Sequence, residues 1–383
     1  MTGKIMVIAG EISGDERAAE VVQKIQELNP HVNFFGMGTT KLKEQGVEVV
    51  IDPTELESVG IWEVIKNYQI HKEHYKVMKD IAKKRDPDVL FLVDYSGFNM
   101  FMTRLGHKMD IPVVNYFPPS AWLWGEWRAK FLARYNPVVA ANFPMDRDVY
   151  RRNKAETKFV GHPLLDEINV EAEKDELKNT FELKENEIPI ALLPGSRKAE
   201  LEKLLPIMLK TAVKLREDNK DYVFIIPSAD PKFNDFIEKN VIDYPLKVKI
   251  VNNHTHKLLK MSHFAIVSTG TATLEAMILN TPMVIIYKFS DVTYKMFKYL
   301  SNQEFFSMPN IIAEKKIVPE LMQEEVTPEK IYEEAHYILS KPYLMTDIKI
   351  KLVSAAEKLG SQGAIDKTAR LVMREGNIDV LKK

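Results

Sequence analysis

The chain has 383 residues, 45% of them hydrophobic and 28% charged, with a formal net charge of −1 and no cysteine. That length exceeds what one hydrophobic core fills comfortably, so two domains are expected, and the charge balance speaks against a dedicated nucleic-acid binder. The absence of cysteine excludes disulfides, thiolate metal sites and cysteine nucleophiles.

The opening MTGKIMVIAGEISGDE has an apolar core too short, and too acidic a flank, for a signal peptide. Nowhere do about 18 apolar residues run together, as a membrane-spanning helix would need. The expectation is a cytoplasmic protein, soluble or peripherally bound to a membrane. Short apolar runs alternate with helical patterns, as in a parallel sheet covered on both faces. Strands are predicted at 5–9, 33–37, 89–93, 112–117, 138–142 and 158–161. Helices are predicted after the first strand, where Ala18, Val22, Ile25 and Leu28 recur at helical spacing, and over roughly 59–84. The acidic stretch 166–187 reads as a linker with a short helix. The pattern restarts with strands at 188–193, 223–227, 247–251, 264–268 and 283–287. A helix follows the first of these, with Pro206 inside it, expected to kink it or to mark a new first turn. After Lys288 only helices are predicted. The fold class is therefore α/β, with two doubly wound domains whose ligands bind beyond the carboxyl ends of the strands.

Four turns carry residues suited to chemistry. AGEISGD (9–15) joins a strand to a helix, with Glu11 at the bend and Ser13 or Asp15 placed to cap; Glu11 and Ser13 are candidates for substrate contact, and a plain capped turn explains the stretch equally well. VLFLVDYSGFN (89–99) ends an apolar strand at Asp94, where a carboxylate can act as general base or can cap the next helix. LLPGSRKAEL (192–201) brings Gly195, Ser196 and Arg197 to a helix start, where free amides and a guanidinium suit a diphosphate. STGTATLE (268–275) offers Ser268, Gly270, Thr271, Ala272 and Thr273 as a phosphate cradle, with Glu275 about one turn on, able to accept both hydroxyls of a ribose. A capped helix start is the other reading of it.

The two D-x-D strings, Asp86 with Asp88 and Asp146 with Asp148, enter a strand and open a helix, so both read as caps or turns rather than metal sites. His254 and His256 are expected on one side of a strand with no third ligand, which leaves no metal site. The stretches 58–85 and 288–306 mix lysines with Trp62, Ile65, Tyr68, Met296 and Phe297. They read either as amphipathic helices packed inward or as a surface for acyl chains and anionic lipid.

Taken together, AGEISGD, FFGMG (34–38), ELESVGIWEVI (55–65), VDYSGFN, FPPSAWLW (117–124), FVGHPLLDE (159–167), LLPGSRKAEL, STGTATLEAM, PMVIIYK (282–288), SMPNIIA (307–313) and VPELMQ (318–323) resemble the lipid-A-disaccharide synthases, in which these motifs stand in the same order. The resemblance spans nearly the whole chain. It implies a GT-B glycosyltransferase with two Rossmann-like domains facing across a cleft: residues 1–168 on the acceptor and membrane side, 185–345 holding the UDP-sugar, and helices of 346–383 returning to the first domain. It implies transfer of a 2,3-diacylglucosamine unit from UDP to 2,3-diacylglucosamine 1-phosphate, giving a β(1→6) disaccharide 1-phosphate and UDP, at the cytoplasmic face of the inner membrane of a Gram-negative bacterium. No metal and no cofactor are implied, UDP being the leaving group, and the oligomeric state stays open, a homodimer included.

By position, Asp94 matches the family's essential aspartate, Arg197 its PGSR arginine and Glu275 its ribose-holding glutamate, while Asn310 and Gln323 match its cleft-lining amides. The chain departs from the family where Gly97 stands for a second aspartate and Gly125 for an arginine, leaving Asp94 as the one carboxylate of its motif. The alternative is another GT-B enzyme acting on UDP-N-acetylglucosamine, a non-lipid transferase or a 2-epimerase. A two-domain binding protein is a more distant rival, since it has no use for an aspartate at a strand end.

Overall fold

The computed structural model describes residues 3–53, 61–123, 125–171, 174–228, 230–289 and 304–381. The chain divides into two compact units, Met1–Asp166 with Leu359–Lys383, and Glu167–Lys358.

In the first unit the strands are β1 (Lys4–Ala9), β2 (Asn33–Met37), β3 (Glu48–Ile51), β4 (Val89–Val93), β5 (Val113–Tyr116), β6 (Val138–Ala141) and β7 (Thr157–Phe159). They form one parallel sheet in the order β3-β2-β1-β4-β5-β6-β7. β1 and β4 are buried on both faces, which is why they read as unbroken apolar runs rather than alternating ones. Ile5, Val7, Phe91 and Val93 pack to one side with the helices Ile12–Leu28 and Ala364–Glu375; Met6, Ile8, Leu90 and Leu92 pack to the other with Met78, Phe98 and Met102. Each such side chain contributes roughly 1.5–3 kcal/mol by leaving water. Only the last of the C-terminal helices covers this sheet. The helix Pro342–Glu357 stays with the second unit, and the chain crosses at Leu359.

The second unit repeats the plan with β8 (Ile188–Leu193), β9 (Tyr222–Ser228), β10 (Val248–Asn252), β11 (Phe264–Ser268), β12 (Met283–Tyr287) and β13 (Glu320–Met322). Its parallel order is β10-β9-β8-β11-β12-β13. Two strands escaped the pattern reading. β3 is a half-buried edge strand of four residues, and β13 has three, too few to display a period. β13 also corrects the expectation that only helices follow Lys288: it pairs with β12 through Ile286 and Leu321. The helix Lys198–Asp218 runs through Pro206 without a break.

In each sheet the strand order reverses at one point, between β1 and β4 and between β8 and β11. Helices leave those neighbouring strands toward opposite faces, so a crevice opens at their carboxyl ends. Register places Ala9 beside Val93 and Leu193 beside Val267. The turns after all four strands are the four that the sequence singles out.

Candidate functional site

At the β8/β11 point, two strand-to-helix turns line a pocket of about 330 Å³. It brings together Gly195, Ser196, Arg197, Ser268, Gly270, Thr271, Ala272 and Glu275, joined by Glu200 and Thr255. Thr273 is not among them. It is fully buried, and its hydroxyl donates to the Gly270 carbonyl at 2.8 Å.

The two turns are built differently. Gly195 has φ 113°, and a Cβ there would lie 2.2 Å from Oε2 of Glu200, so both conformation and space demand glycine. The cap of the helix Lys198–Asp218 is Arg197 rather than Ser196. The Glu200 carboxylate accepts from the amides of Ser196 (3.1 Å) and Arg197 (3.4 Å) and pairs with the Arg197 guanidinium at 3.4 Å. The amides expected to be free are thus held by this chain's own carboxylate, while the Arg197 side chain is 81% exposed. The GSRxxE spacing signals this capping box, a cue the motif reading passed over.

After β11, Gly270 is itself the cap of the helix Thr271–Ile278, at φ 140° and with no side-chain capping bond, so neither Thr271 nor Thr273 caps it. A Cβ at Gly270 would meet nothing within 4 Å; the backbone conformation alone selects glycine. The first-turn amides of this helix have no acceptor within the helix, apart from that of Thr273, which bonds the Gly270 carbonyl at 3.1 Å. Together with the helix dipole they favour an anion.

Glu275 lies one turn in, its side chain 16% exposed. Burial, reinforced by Glu167, pushes its carboxyl up to about 7. His256 lies beside it, Nε2 3.7 Å from Oε2, with its own pKa lowered by burial. β10 ends at Asn252, so His256 sits in the helix Thr255–Met261 and not on a strand, which corrects the expectation for the histidine pair.

At the β1/β4 point, Asp94 follows β4 with a left-handed backbone, φ 39°. It does not cap the next helix, whose cap residue is Tyr95. It meets the guanidinium of Arg17 at 2.6 Å and the Ser13 hydroxyl at 3.3 Å. Arg17 was not singled out in the sequence; its position one helical turn beyond Ser13 is the signal that could have found it. Glu11 is the cap residue of the helix Ile12–Leu28 and is exposed beside Tyr95. Asp15 turns away to cap a different helix, Thr40–Glu44, accepting from Thr39 and Lys41.

The remaining sequence candidates fall elsewhere. Asn310 is fully buried; its Nδ2 donates to Val318 (2.9 Å) and its Oδ1 accepts from Ile317 (2.7 Å) and Val318 (3.1 Å), so it braces the turn between two elements of the second unit. Gln323, at φ 52°, donates to the Phe289 carbonyl at 3.5 Å, and its buried Oε1 has no partner among the described residues. Neither lines the pocket. Trp62, Ile65 and Tyr68 stand on the helix Ile61–Arg85, whose first turns are described as backbone only. Met296 and Phe297 lie outside the described residues. Asp88 accepts from the Lys4 amide at 2.7 Å, tying the start of β4 to that of β1, and Asp146 reaches back to the Phe143 backbone at the start of the helix Pro144–Arg152. Among the described residues no helix is long and apolar enough to cross a membrane.

Two parallel α/β units of this plan also make up known structures across their whole length. S. aureus MnaA, in a co-structure with UDP, aligns over 100% of this chain and 99% of its own with a TM-score of 0.64 at 11% identity. MurG of Acinetobacter baumannii aligns over 98% of this chain and 100% of its own, with a TM-score of 0.61 at 14% identity. The class is the GT-B fold of glycosyltransferases and related sugar-nucleotide enzymes.

Sequence narrows the class further. Residues 5–369 match the family described as Lipid-A-disaccharide synthetase. The lipid-A-disaccharide synthase of Geobacter sulfurreducens is 33% identical over 370 residues, 97% of this chain and 96% of its own. That of Coxiella burnetii (strain Dugway 5J108-111) is 30% identical over 368 residues, 96% of this chain and 97% of its own. The chain belongs to the lipid-A-disaccharide synthase family. It is thus a glycosyltransferase of lipid A biosynthesis, and the family implies a sugar-nucleotide and a lipid-phosphate substrate.

Proposed function

We propose that the chain transfers 2,3-diacylglucosamine from its α-linked UDP donor to O6 of 2,3-diacylglucosamine 1-phosphate, with inversion, yielding the β(1→6) disaccharide 1-phosphate and UDP. The observation that carries the nucleotide half of this reading is the pocket shared by the 195–200 and 268–275 turns. UDP would lie there with its diphosphate against the start of the helix Thr271–Ile278 and Arg197, and its ribose hydroxyls on Glu275.

In the first unit, Asp94 takes the proton from the acceptor's 6-hydroxyl as its oxygen attacks the donor's anomeric carbon. The bond from that carbon to the β-phosphate oxygen breaks, and UDP leaves with the electron pair. General-base help of this kind is worth about 10²–10⁴-fold. The charge that grows on the diphosphate meets the amides of the second unit's helix start and Arg197, a fixed positive potential that needs no reorganisation during the reaction. No cofactor takes part in this scheme and no metal is called for. Acyl chains and the membrane's inner surface would meet the helix Ile61–Arg85, which carries Trp62, Ile65 and Tyr68 with Lys66, Lys72, Lys76 and Lys79, and the stretch with Met296 and Phe297; each buried CH₂ there contributes roughly 0.8 kcal/mol.

The test is incubation with both lipid substrates, read by mass spectrometry for disaccharide and UDP. The Asp94→Asn variant should bind UDP normally while turnover falls by about 10²–10⁴-fold. Near-normal turnover in that variant would remove Asp94 as the base. Absence of disaccharide, together with C2 epimerisation of UDP-N-acetylglucosamine seen by NMR in a parallel incubation, would favour the UDP-N-acetylglucosamine reading.

A further inference from the structure

We propose that Arg17 is a positioning residue for the Asp94 base, holding one carboxylate oxygen so that the other is presented to the acceptor hydroxyl. This rests on the reading of Asp94 as general base and extends it to a residue outside the family motifs.

The turn after β1 starts the helix Ile12–Leu28, and helical spacing puts Ser13, Gly14 and Arg17 on the side facing Asp94. Gly14 lets the helix close on the strand end: a Cβ there would come within 3.2 Å of Asp94 Cβ and 3.4 Å of the Val93 carbonyl. At that approach both donors reach the same oxygen. The Arg17 Nη1 and the Ser13 Oγ donate to Oδ2 at 2.6 and 3.3 Å, and among the described residues no hydrogen bond goes to Oδ1. The Asp94 side chain is 30% exposed, so it remains accessible while held.

Arg17 is itself held from behind. Its guanidinium carbon lies 3.8 Å from the centre of the Phe117 ring, a cation–π contact that fixes the plane of the fork. Phe117 has φ 49°, strained for an aromatic residue, and its amide donates to Asn142 Oδ1 at 3.1 Å. Its ring stands at 90° to that of His162, 5.6 Å away. His162 is 1% exposed, and its Nδ1 accepts from the Leu164 amide at 3.2 Å. Burial and the nearby Arg17 charge lower its pKa to about 3, so it is a neutral buttress and not a second cation competing for Asp94. Strained backbone at the ends of both β4 and β5 fits a constellation fixed by its surroundings rather than a mobile surface pair. An exposed ion pair with no such support would be worth little and would orient nothing.

The experiment measures turnover and UDP affinity in the full chain for Arg17→Leu, Arg17→Lys, Asp94→Asn and the Arg17→Leu/Asp94→Asn double variant. Leucine keeps apolar contact with Phe117 and removes the fork. We expect kcat to fall about 10–100-fold in Arg17→Leu, the scale of a small misplacement of a reacting group, with UDP affinity held. Lysine should restore part of the loss. In the Asp94→Asn background the leucine change should add less than about twofold, because a residue that acts through Asp94 has nothing left to position. An unchanged kcat in Arg17→Leu overturns the proposal, as does an equal loss in both backgrounds, which marks a merely structural role. Should Arg17→Leu fail to fold, Arg17→Lys decides: normal kcat with a single-point ammonium in place of the fork also overturns it. If Asp94→Asn alone keeps its turnover, the base reading falls first; if it collapses while Arg17→Leu does not, only the positioning role falls.

Discussion

Replacing Glu275 by glutamine preserves the shape of a side chain that lines the candidate nucleotide pocket and removes its charge. Burial, then Glu167, holds this carboxyl near pH 7, and the ring of His256 beside it stays neutral there because burial lowers its pKa. Accepting hydrogen bonds from both ribose hydroxyls requires the ionised form. About a tenth of Glu275 is ionised at pH 6 and about nine tenths at pH 8, so affinity for UDP should rise about tenfold between them, some ~1.4 kcal/mol. The sign follows from which form binds: the ligand draws off a proton, so binding strengthens as pH rises through 7 and levels off above 8. UDP also loses a phosphate proton in this region, with a pKa near ~6. The Glu275→Gln protein is therefore the reference, because the ratio of the two affinities at each pH cancels the ligand's own titration. Calorimetry at pH 6, 7 and 8 on both proteins measures that ratio. A ratio that stays flat, or falls with rising pH, refutes the assignment of Glu275 to the ribose.

Three other outcomes are expected. Arg197→Ala should weaken UDP binding at least tenfold, since a charge-assisted hydrogen bond is worth about 1.5–3 kcal/mol; an unchanged Kd by titration would end its diphosphate role. Gly195→Ala should cost more UDP affinity than Gly270→Ala, because the added methyl meets Glu200 at 2.2 Å in the first case and only backbone strain of about 1–3 kcal/mol in the second; the reverse order would contradict the geometry of the two turns. Asp146 concerns stability: it is fully buried, and desolvation raises its pKa from 3.8 to about 8. The folded state then holds a proton that the unfolded chain releases, so this group's contribution is present below pH 3.8 and lost as pH rises toward 8. Asp146→Asn should flatten that slope, by on the order of 4 kcal/mol between pH 5 and 8 in urea unfolding; parallel profiles in variant and wild type would show the carboxyl to be ionised in the fold.

Much of the site was legible in residue types. A fully buried strand must be apolar along its length, so β1, β4, β8 and β11 stand out as runs, and the small or polar residues that end them mark the turns where function collects. Thr273 shows the limit of that reading. Its hydroxyl looked suited to phosphate, yet helical geometry turns it inward onto the Gly270 carbonyl. Asn310 has the same lesson: an amide looks the same in sequence whether it faces a substrate or braces a buried turn. The short strands β3 and β13 had too few residues, or too mixed a burial, to carry a period.

What the sequence determined by itself was local and compositional. It marked an α/β chain of two sheets, located the turns at 9–15, 94–99, 194–197 and 268–275, and, through its ordered motifs, resembled one family. Which turns share a site was decided only by the tertiary structure. Register partners in β1 and β4, such as Ala9 and Val93, are 84 residues apart in the chain, and those in β8 and β11, such as Leu193 and Val267, are 74 apart, yet each pair lies side by side because the strand order reverses between them. That arrangement sets Arg17 against Asp94, fills the amides of the 195–197 turn with Glu200, and buries Glu275 deeply enough to move its titration. Each is a consequence of distance and solvent exclusion, which a linear chain does not possess until it folds.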